Sequence, residues 1–330
     1  MSSRHSPDGL STIVITSDCP RRRVIMSDGK VWFITGSSRG FGRVWTEAAL
    51  MRGDKVVATA RNPAVLQPLV TLYGRSVLPL ALDVTDRAAA FAAVAKAKDA
   101  FGRLDVVLNN AGYRQFGAVE ELSEAEARAQ IETNLFGALW VTQAALPILR
   151  AQKFGHVLAV SSIGGVGACP TVGMYHASKW GLEGLMDAPS QEVSAFGIKV
   201  TLLEPGGYAT DFADPSSIRT SLPIPAYNPI KEQLFAAFAS ESMGDPQATS
   251  DAIFKVVDDT EPPLRILLGA TALLMVRKMY DERLASWEKW ASVSAAAQGT
   301  RTDLRLPETL RQVSWAFPRC DGNDAAALWG

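Results

Sequence analysis

The sequence predicts an α/β fold, a doubly wound and mostly parallel sheet with helices on both faces. Three observations carry that expectation. Short apolar runs alternate with longer helical stretches, the rhythm of parallel βαβ units. The first run, Lys30 to Thr35, ends in Gly36-Ser37-Ser38-Arg39-Gly40-Phe41-Gly42, a glycine-rich turn that opens directly into a helix reaching Arg52. A hydrophobic content of 47% against 20% charged residues gives the 330-residue chain ample material for a core.

The elements follow in order. Gly36, Gly40 and Gly42 let the backbone approach a pyrophosphate, and the free N–H groups at the start of the next helix offer a positive dipole end. The spacing is G-x-x-x-G-x-G, distinct from the dinucleotide fingerprint G-x-G-x-x-G. Lys55 to Ala60 reads as the second strand. An NAD site carries Asp or Glu near this point for the ribose 2′-hydroxyl. Here the strand ends in Thr59-Ala60-Arg61, with Arg39 already in the turn, and two guanidiniums without a carboxylate favour a 2′-phosphate, hence NADP(H). Val77 to Leu82 forms the third strand and ends at Asp83-Val84. Thr85-Asp86 caps an alanine-rich helix that runs to Phe101-Gly102. Leu104 to Leu108 is the fourth strand and opens into Asn109-Asn110-Ala111-Gly112. Ser123-Glu124-Ala125-Glu126 starts a helix as a capping box. A further helix, Leu135 to Ala151, follows Asn134 and leads into the fifth strand, His156 to Ser161; the last strand is Leu264 to Leu268.

The stretch from Ser161 to Gly184 holds the chemistry. Tyr175 and Lys179 stand four apart, with Ser162 upstream. On a helix that spacing puts phenol and ammonium on one face, a turn apart. A neighbouring ammonium stabilises phenolate over phenol, so the Tyr175 pKa is expected to fall towards neutrality. A proton donor of that kind, with a hydroxyl to hold a carbonyl oxygen, suits reversible ketone reduction.

Bulk properties exclude other classes. A net charge of −1 and a pI near 6.3 make no electrostatic case for nucleic acid or an anionic membrane. Cys19, Cys169 and Cys320 are far apart and form no metal or redox spacing, so a reducing cytoplasmic setting without a metal is expected. No apolar run reaches membrane-span length. Arg21-Arg22-Arg23 follows the weakly apolar stretch 10–16 instead of preceding it, which is not the order of a secretory signal. Residues 1–25 are read as a disordered extension before a functional start at Met26, 26–298 as one domain, and 299–330 as a loosely ordered tail.

Collected in chain order, Thr35-Gly36-x3-Gly40-x-Gly42, Asn109-Asn110-Ala111-Gly112, Asn134, Ser162, Tyr175-x3-Lys179 and Pro205-Gly206 resemble the short-chain dehydrogenase/reductase family in its compact single-domain form. The resemblance spans Val31 to about Gly269. It implies a Rossmann-like catalytic domain of about seven strands in the order 3-2-1-4-5-6-7. It also implies roles: Tyr175 as general acid in reduction and base in oxidation, Lys179 on the nicotinamide ribose, Ser162 on the substrate carbonyl, Asn134 anchoring a relay water. Gly36, Ser38, Arg39, Gly40, Phe41, Gly42 and Arg61 would hold the adenosine and phosphates, and Asp83-Val84 the adenine. Asn110, Ala111 and Gly112 would lie beside the ribose, and Pro205, Gly206 and Thr210 beside the nicotinamide amide. A homodimer or homotetramer is usual among similar proteins. The implied activity is NADP(H)-dependent reduction of a ketone or aldehyde. The rivals are a secondary-alcohol or hydroxysteroid dehydrogenase working in the oxidising direction, and a non-catalytic dinucleotide sensor.

Other stretches carry their own expectations. Pro189 should weaken or kink the helix that carries Tyr175. The irregular segment 208–244 reads as a substrate lid. Its Tyr208 and Phe212, with Cys169, Val172, Met174, Tyr113 and Gln115 as pocket wall, suit an apolar or aromatic carbonyl compound better than a sugar phosphate or an acyl-carrier thioester. His156 and His176 lack ligand-spaced partners and are read as structural. Leu273, Val276, Tyr280, Leu284 and Trp287 form a helical stripe expected to serve core or subunit contact.

Overall fold

A computed structural model of the chain describes residues 29–213, 218–239 and 242–299. The expectations for residues 1–25, Met26, Cys19, Cys320 and the tail beyond Gly299 lie outside the described residues. Two compact units are present, one ending at Val276 and the other starting at Arg277.

The first unit is built on seven parallel strands: β1 (Val31–Ile34), β2 (Lys55–Ala60), β3 (Val77–Ala81), β4 (Val106–Asn109), β6 (Gly155–Val160), β7 (Ile198–Pro205) and β9 (Arg265–Leu268). Their order is β3-β2-β1-β4-β6-β7-β9, the doubly wound arrangement expected. The strands read as continuous apolar runs because both faces are covered: every residue of β1 and β4 is buried. On one face pack α1 (Gly40–Met51), α2 (Gln67–Tyr73) and α8 (Thr249–Asp258), with Trp45, Leu50, Leu69 and Ile253 in the core. On the other lie α3 (Arg87–Phe101), α5 (Gly137–Gln152) and α6 (Gly173–Glu192), through Val94, Val141, Leu149 and Met186. The helix α4 (Glu124–Ile131) begins with the predicted capping box: the Glu126 amide donates to Ser123 Oγ at 3.3 Å and the Ser123 amide to Glu126 Oε2 at 2.9 Å. Asp86 caps α3 by accepting from the Ala89 amide at 2.9 Å.

Three expectations change. The helix α6 runs on through Pro189 to Glu192, and α5 likewise contains Pro147. Pro189 sits in the last turn, where the one amide bond it removes leaves only a short remainder to hold. Second, segment 208–244 is more regular than its composition suggests. It contains β8 (Ile218–Thr220), which pairs in parallel with β5 (Arg114–Phe116), and a twelve-residue helix α7 (Asn228–Ala239). Pro229 lies in the first turn of α7, where a missing N–H costs nothing. Third, α9 (Ala272–Lys289), which precedes α10 (Ala291–Ala297), carries the apolar stripe, but Leu273, Tyr280, Leu284 and Trp287 are exposed, so they form no core.

Candidate active site

Parallel strands bring their carboxyl ends to one edge of the sheet, and the motif residues sit there in sequence order: the glycine turn after β1, Asn110 to Gly112 after β4, Ser162 after β6, Pro205-Gly206 at the end of β7. The glycine turn is braced from β4. Thr35 Oγ1 accepts from the amides of Asn110 (2.9 Å) and Ala111 (3.0 Å), and Asn110 Nδ2 donates to the carbonyls of Thr35 (2.8 Å) and Gly36 (3.2 Å). Gly36 has φ +70°, and a Cβ on Gly42 would stand 2.3 Å from the Gly36 carbonyl oxygen and 2.4 Å from Asn110 Nδ2. No side chain fits there. The first amide of α1 receives an anion: Gly40 N–H donates to Asp211 Oδ2 at 3.2 Å. Arg39 is the N-cap residue of α1, Ser38 is exposed beside it, and Arg61 is exposed at the end of β2. Asp83 is exposed and accepts from the Thr85 amide and hydroxyl at 3.0 and 2.8 Å, while Val84 is buried against Gly137.

At the other side of this edge, Tyr175, Ser162 and Lys179 converge. The Ser162 hydroxyl is near enough to the Tyr175 phenol to favour its ionised form; it donates to the Pro205 carbonyl at 3.5 Å and accepts from the Gly164 amide at 3.0 Å. Lys179 is buried, its Nζ 5.8 Å from the centroid of the Tyr175 ring and donating to the Val160 carbonyl at 2.7 Å. The electrostatics differ from the sequence expectation. Burial raises the Tyr175 pKa above the ordinary phenol value, with the Ser162 hydrogen bond and the Arg114 charge opposing it less strongly. The reason is geometric, since the ammonium is turned to a backbone carbonyl. Burial also brings Lys179 down to about 8, held up in part by Glu183 one turn on.

Asn134 lies in a π-turn, Glu132–Phe136, between α4 and α5. Its side chain is committed to protein: Oδ1 accepts from the Tyr113 amide at 3.1 Å, and Nδ2 donates to the Tyr113 carbonyl and Ser178 Oγ, both at 3.0 Å. It thereby fixes the loop after β4 against the helix of Tyr175.

A matching family model then decides the grouping: short chain dehydrogenase, residues 30–220. The chain belongs to the short-chain dehydrogenase/reductase family. The oxidoreductase BOA17 of Botryotinia fuckeliana is 44% identical over 276 residues, 81% of this chain and 99% of that protein. A solved short-chain dehydrogenase from Streptomyces avermitilis matches with a TM-score of 0.78 and 36% identity, over 82% of this chain and all of the other. A second short-chain dehydrogenase/reductase structure, from Burkholderia phymatum in complex with NAD, matches with a TM-score of 0.69 and 26% identity, over 78% of this chain and 95% of its own.

Around Tyr175 this short-chain dehydrogenase/reductase gathers an apolar cluster: Phe116 and Val172, with Cys169, Phe212, Ile218 and Leu234 packed on it. Phe212 is 5.8 Å from the Tyr175 ring, centroid to centroid. Tyr208 is not brought to this cluster. It packs edge-on against Phe41, 5.2 Å away, which stacks on Trp45 at 4.8 Å, because the chain leaving β7 crosses the start of α1 first. Thr210, one step further, comes within reach of Gly40. Gln115 also turns away, its side-chain Nε2 donating to Glu126 Oε1 at 3.1 Å and Ser221 Oγ at 2.9 Å. His176 is structural, as expected: Nε2 accepts from the Cys169 amide at 3.0 Å, so Nδ1 carries the proton and donates to the Gly164 carbonyl at 2.8 Å. His156, pushed down to about 3 by burial, hydrogen-bonds Thr201 between β6 and β7.

Three groups escape sequence reasoning. The buried Glu183 and Glu204 form a cluster near Lys179 with the more exposed Arg265: Arg265 Nε donates to Glu183 Oε2 at 2.9 Å, its Nη2 to Asp187 Oδ2 at 2.8 Å, and Glu204 Oε1 lies 3.8 Å away. Burial and the Glu183 charge raise Glu204 to about 7. The available signals were an i,i+4 step from Lys179 to Glu183 and a carboxylate inside the apolar run Thr201 to Pro205. Asp211 and Arg114 gave no sequence signal. Thr171, just before α6, is held at φ +68°, a strained conformation for a β-branched residue beside the site.

Proposed function

We propose that this chain is an NADP(H)-dependent cytoplasmic oxidoreductase that reduces a ketone or aldehyde with an apolar or aromatic body to the alcohol. The observation that carries the reading is the convergence of Ser162, Tyr175 and Lys179 beside a glycine cradle whose leading amide already donates to a carboxylate. A bound nicotinamide dinucleotide would supply the hydride to the carbonyl carbon. Backbone at Gly36, Gly40 and Gly42 fits its pyrophosphate, Arg39 and Arg61 its 2′-phosphate, and Asn110, Pro205, Gly206 and Thr210 border the remainder. The similar Burkholderia phymatum protein is in complex with NAD; the two guanidiniums here favour the phosphorylated form.

Ser162 holds the carbonyl oxygen as oxyanion character develops, and Tyr175 gives it a proton. A phenol whose pKa is raised is protonated at neutral pH and can serve as the acid in reduction. Lys179 holds the ribose. The apolar cluster of Phe116, Val172, Phe212 and Leu234 excludes water, with segment 208–244 as lid. A homodimer or homotetramer is the expected assembly, read by light scattering. A carbonyl panel followed by loss of NADPH absorbance, repeated with NADH, tests the function. Tyr175→Phe should cut turnover by about 10²- to 10⁴-fold and keep nucleotide binding. Binding of NADPH without turnover of any carbonyl by the unaltered protein would point to a sensor.

A further inference from the structure

A guanidinium, that of Arg114, stands against the apolar cluster around Tyr175. Arg114 lies on β5, where alternate residues face opposite sides. Its register partner across to β8 is Ile218, and Phe116 points the same way; both belong to the cluster around Tyr175. Gln115 and Arg219 share the other face, where Gln115 Nε2 donates to Glu126 and Ser221 and Arg219 lies 3.9 Å from the Tyr113 ring centroid. The Arg114 guanidinium carbon stands 5.4 Å from the centroid of Phe212, the ring packed on Tyr175.

Arg114 also lacks what several other arginines among the described residues have, an ion pair. Arg52 is paired with Asp54, Arg103 with Asp105, and Arg265 with Glu183 and Asp187. Arg114 Nε is shielded from solvent and has no hydrogen-bond partner among the described residues. Three described carboxylates on neighbouring elements are engaged elsewhere: Glu121 with Lys231 and the amides of Ala118 and Ile224, Glu126 with Ser123 and Gln115, Asp211 with Gly40. An arginine cannot shed its proton, so a shielded Nε without a hydrogen-bond partner carries an uncompensated cost. Its field reaches the reacting group: Tyr175, Cys169 and His176 all feel the Arg114 charge.

We infer that Arg114 is the substrate-anchoring residue of this pocket and that the substrate carries a carboxylate at one end of its apolar or aromatic body. A guanidinium fork matches a planar carboxylate with two parallel hydrogen bonds, and one such cation balances a monoanion among rings that would not hydrate a dianion. The inference rests on the proposed reductase reading and names its substrate class.

The test pairs aryl-substituted keto acids with their methyl esters in NADPH-dependent turnover, for the unaltered protein, Arg114→Gln and Arg114→Lys. A second arm titrates unreactive arylalkanoates against the protein with NADP⁺ by calorimetry. The keto acid should be preferred by kcat/KM; Arg114→Gln should lose about 10- to 100-fold on the acid, through KM, and little on the ester. Arg114→Lys should recover part of that loss, and arylalkanoate affinity should fall by a similar factor in Arg114→Gln. Equal use of acid and ester, with no effect of Arg114→Gln on either arm, overturns the inference while leaving the reductase reading intact. Carboxylate binding that depends on Arg114 without any carbonyl turnover supports the anchor and sinks the reductase reading instead. Unfolding of Arg114→Gln would show in its melting curve, and the acid-to-ester ratio of Arg114→Lys then decides.

Discussion

The nucleotide half of the site and the substrate half are built by different means. Around the glycine turn, close backbone approaches and short polar ties do the work: Thr35 and Asn110 lace β1 to β4, and Gly42 leaves room for the Gly36 carbonyl. Around Tyr175, side chains arrive from β5, β8, α6, α7 and the turn at Asp211–Ala213, and the surfaces are rings, a thiol and one guanidinium. The first half depends on residues that cannot be replaced because there is no space. The second depends on which side chains meet, and those can change while the frame stays. One fold can therefore keep a cofactor and vary a substrate.

The sharpest way to break that contrast is to fill the space. Gly42→Ala puts a methyl 2.3 Å from the Gly36 oxygen, so the turn must open. Nucleotide binding, followed by fluorescence, should be lost, with about 1–3 kcal/mol of stability lost as well. Gly184→Ala is the matched control. It sits exposed in α6 with nothing within 4 Å of the added methyl, and should stabilise by about 0.5–1 kcal/mol in chemical denaturation. Equal tolerance of both would end the idea that the turn is space-limited.

Next in size is the charge at the rim of the nucleotide half. Arg39→Ala with Arg61→Ala should raise the KM for NADPH by about tenfold or more and leave that for NADH nearly unchanged. Equal losses on both cofactors would mean that the guanidiniums act on shared phosphates.

These two halves were unequally legible. The glycine turn, Asn110, Ser162, Tyr175 and Lys179 could be read because each lies at the end of a strand or one helical turn from its neighbour. The pairing of Arg114–Phe116 with Ile218–Thr220 could not: both strands are three residues long, far apart in the chain, and carry no periodicity. Tyr208 looked like a pocket residue from its place after Pro205-Gly206, yet its ring goes to Phe41. The sign of the Tyr175 shift was missed for a related reason. Spacing places Lys179 near the phenol but does not reveal the Val160 carbonyl that takes its ammonium, nor the burial that dominates both groups.

A smaller effect probes the polar floor that both halves share. Glu204 on β7 faces Glu183 and Asp187 on α6 and Arg265 on β9, and its pKa is raised to about 7. A carboxyl raised above its unfolded value favours the protonated fold. Its contribution is therefore intact below the unfolded carboxylate pKa and declines as pH rises through about 7. Glu204→Gln should leave the melting temperature unchanged near pH 4 and raise stability by roughly 1–3 kcal/mol at pH 8. The same gain at both pH values would remove titration as its cause.

The smallest expected effect asks whether the two halves communicate. Asp211, one residue before Phe212 of the apolar cluster, reaches back to the Gly40 amide at 3.2 Å, the first N–H of α1. A side-chain carboxylate and a phosphate seek the same donor, so the segment that covers the substrate also competes with the cofactor. Asp211→Asn keeps the size and drops the charge. The attraction of one charge to a helix end is modest, so NADPH affinity should rise only about two- to fivefold, read by fluorescence titration at low salt. If affinity falls instead, Asp211 organises the turn for the nucleotide, and the cofactor half is completed by the segment that belongs to the substrate.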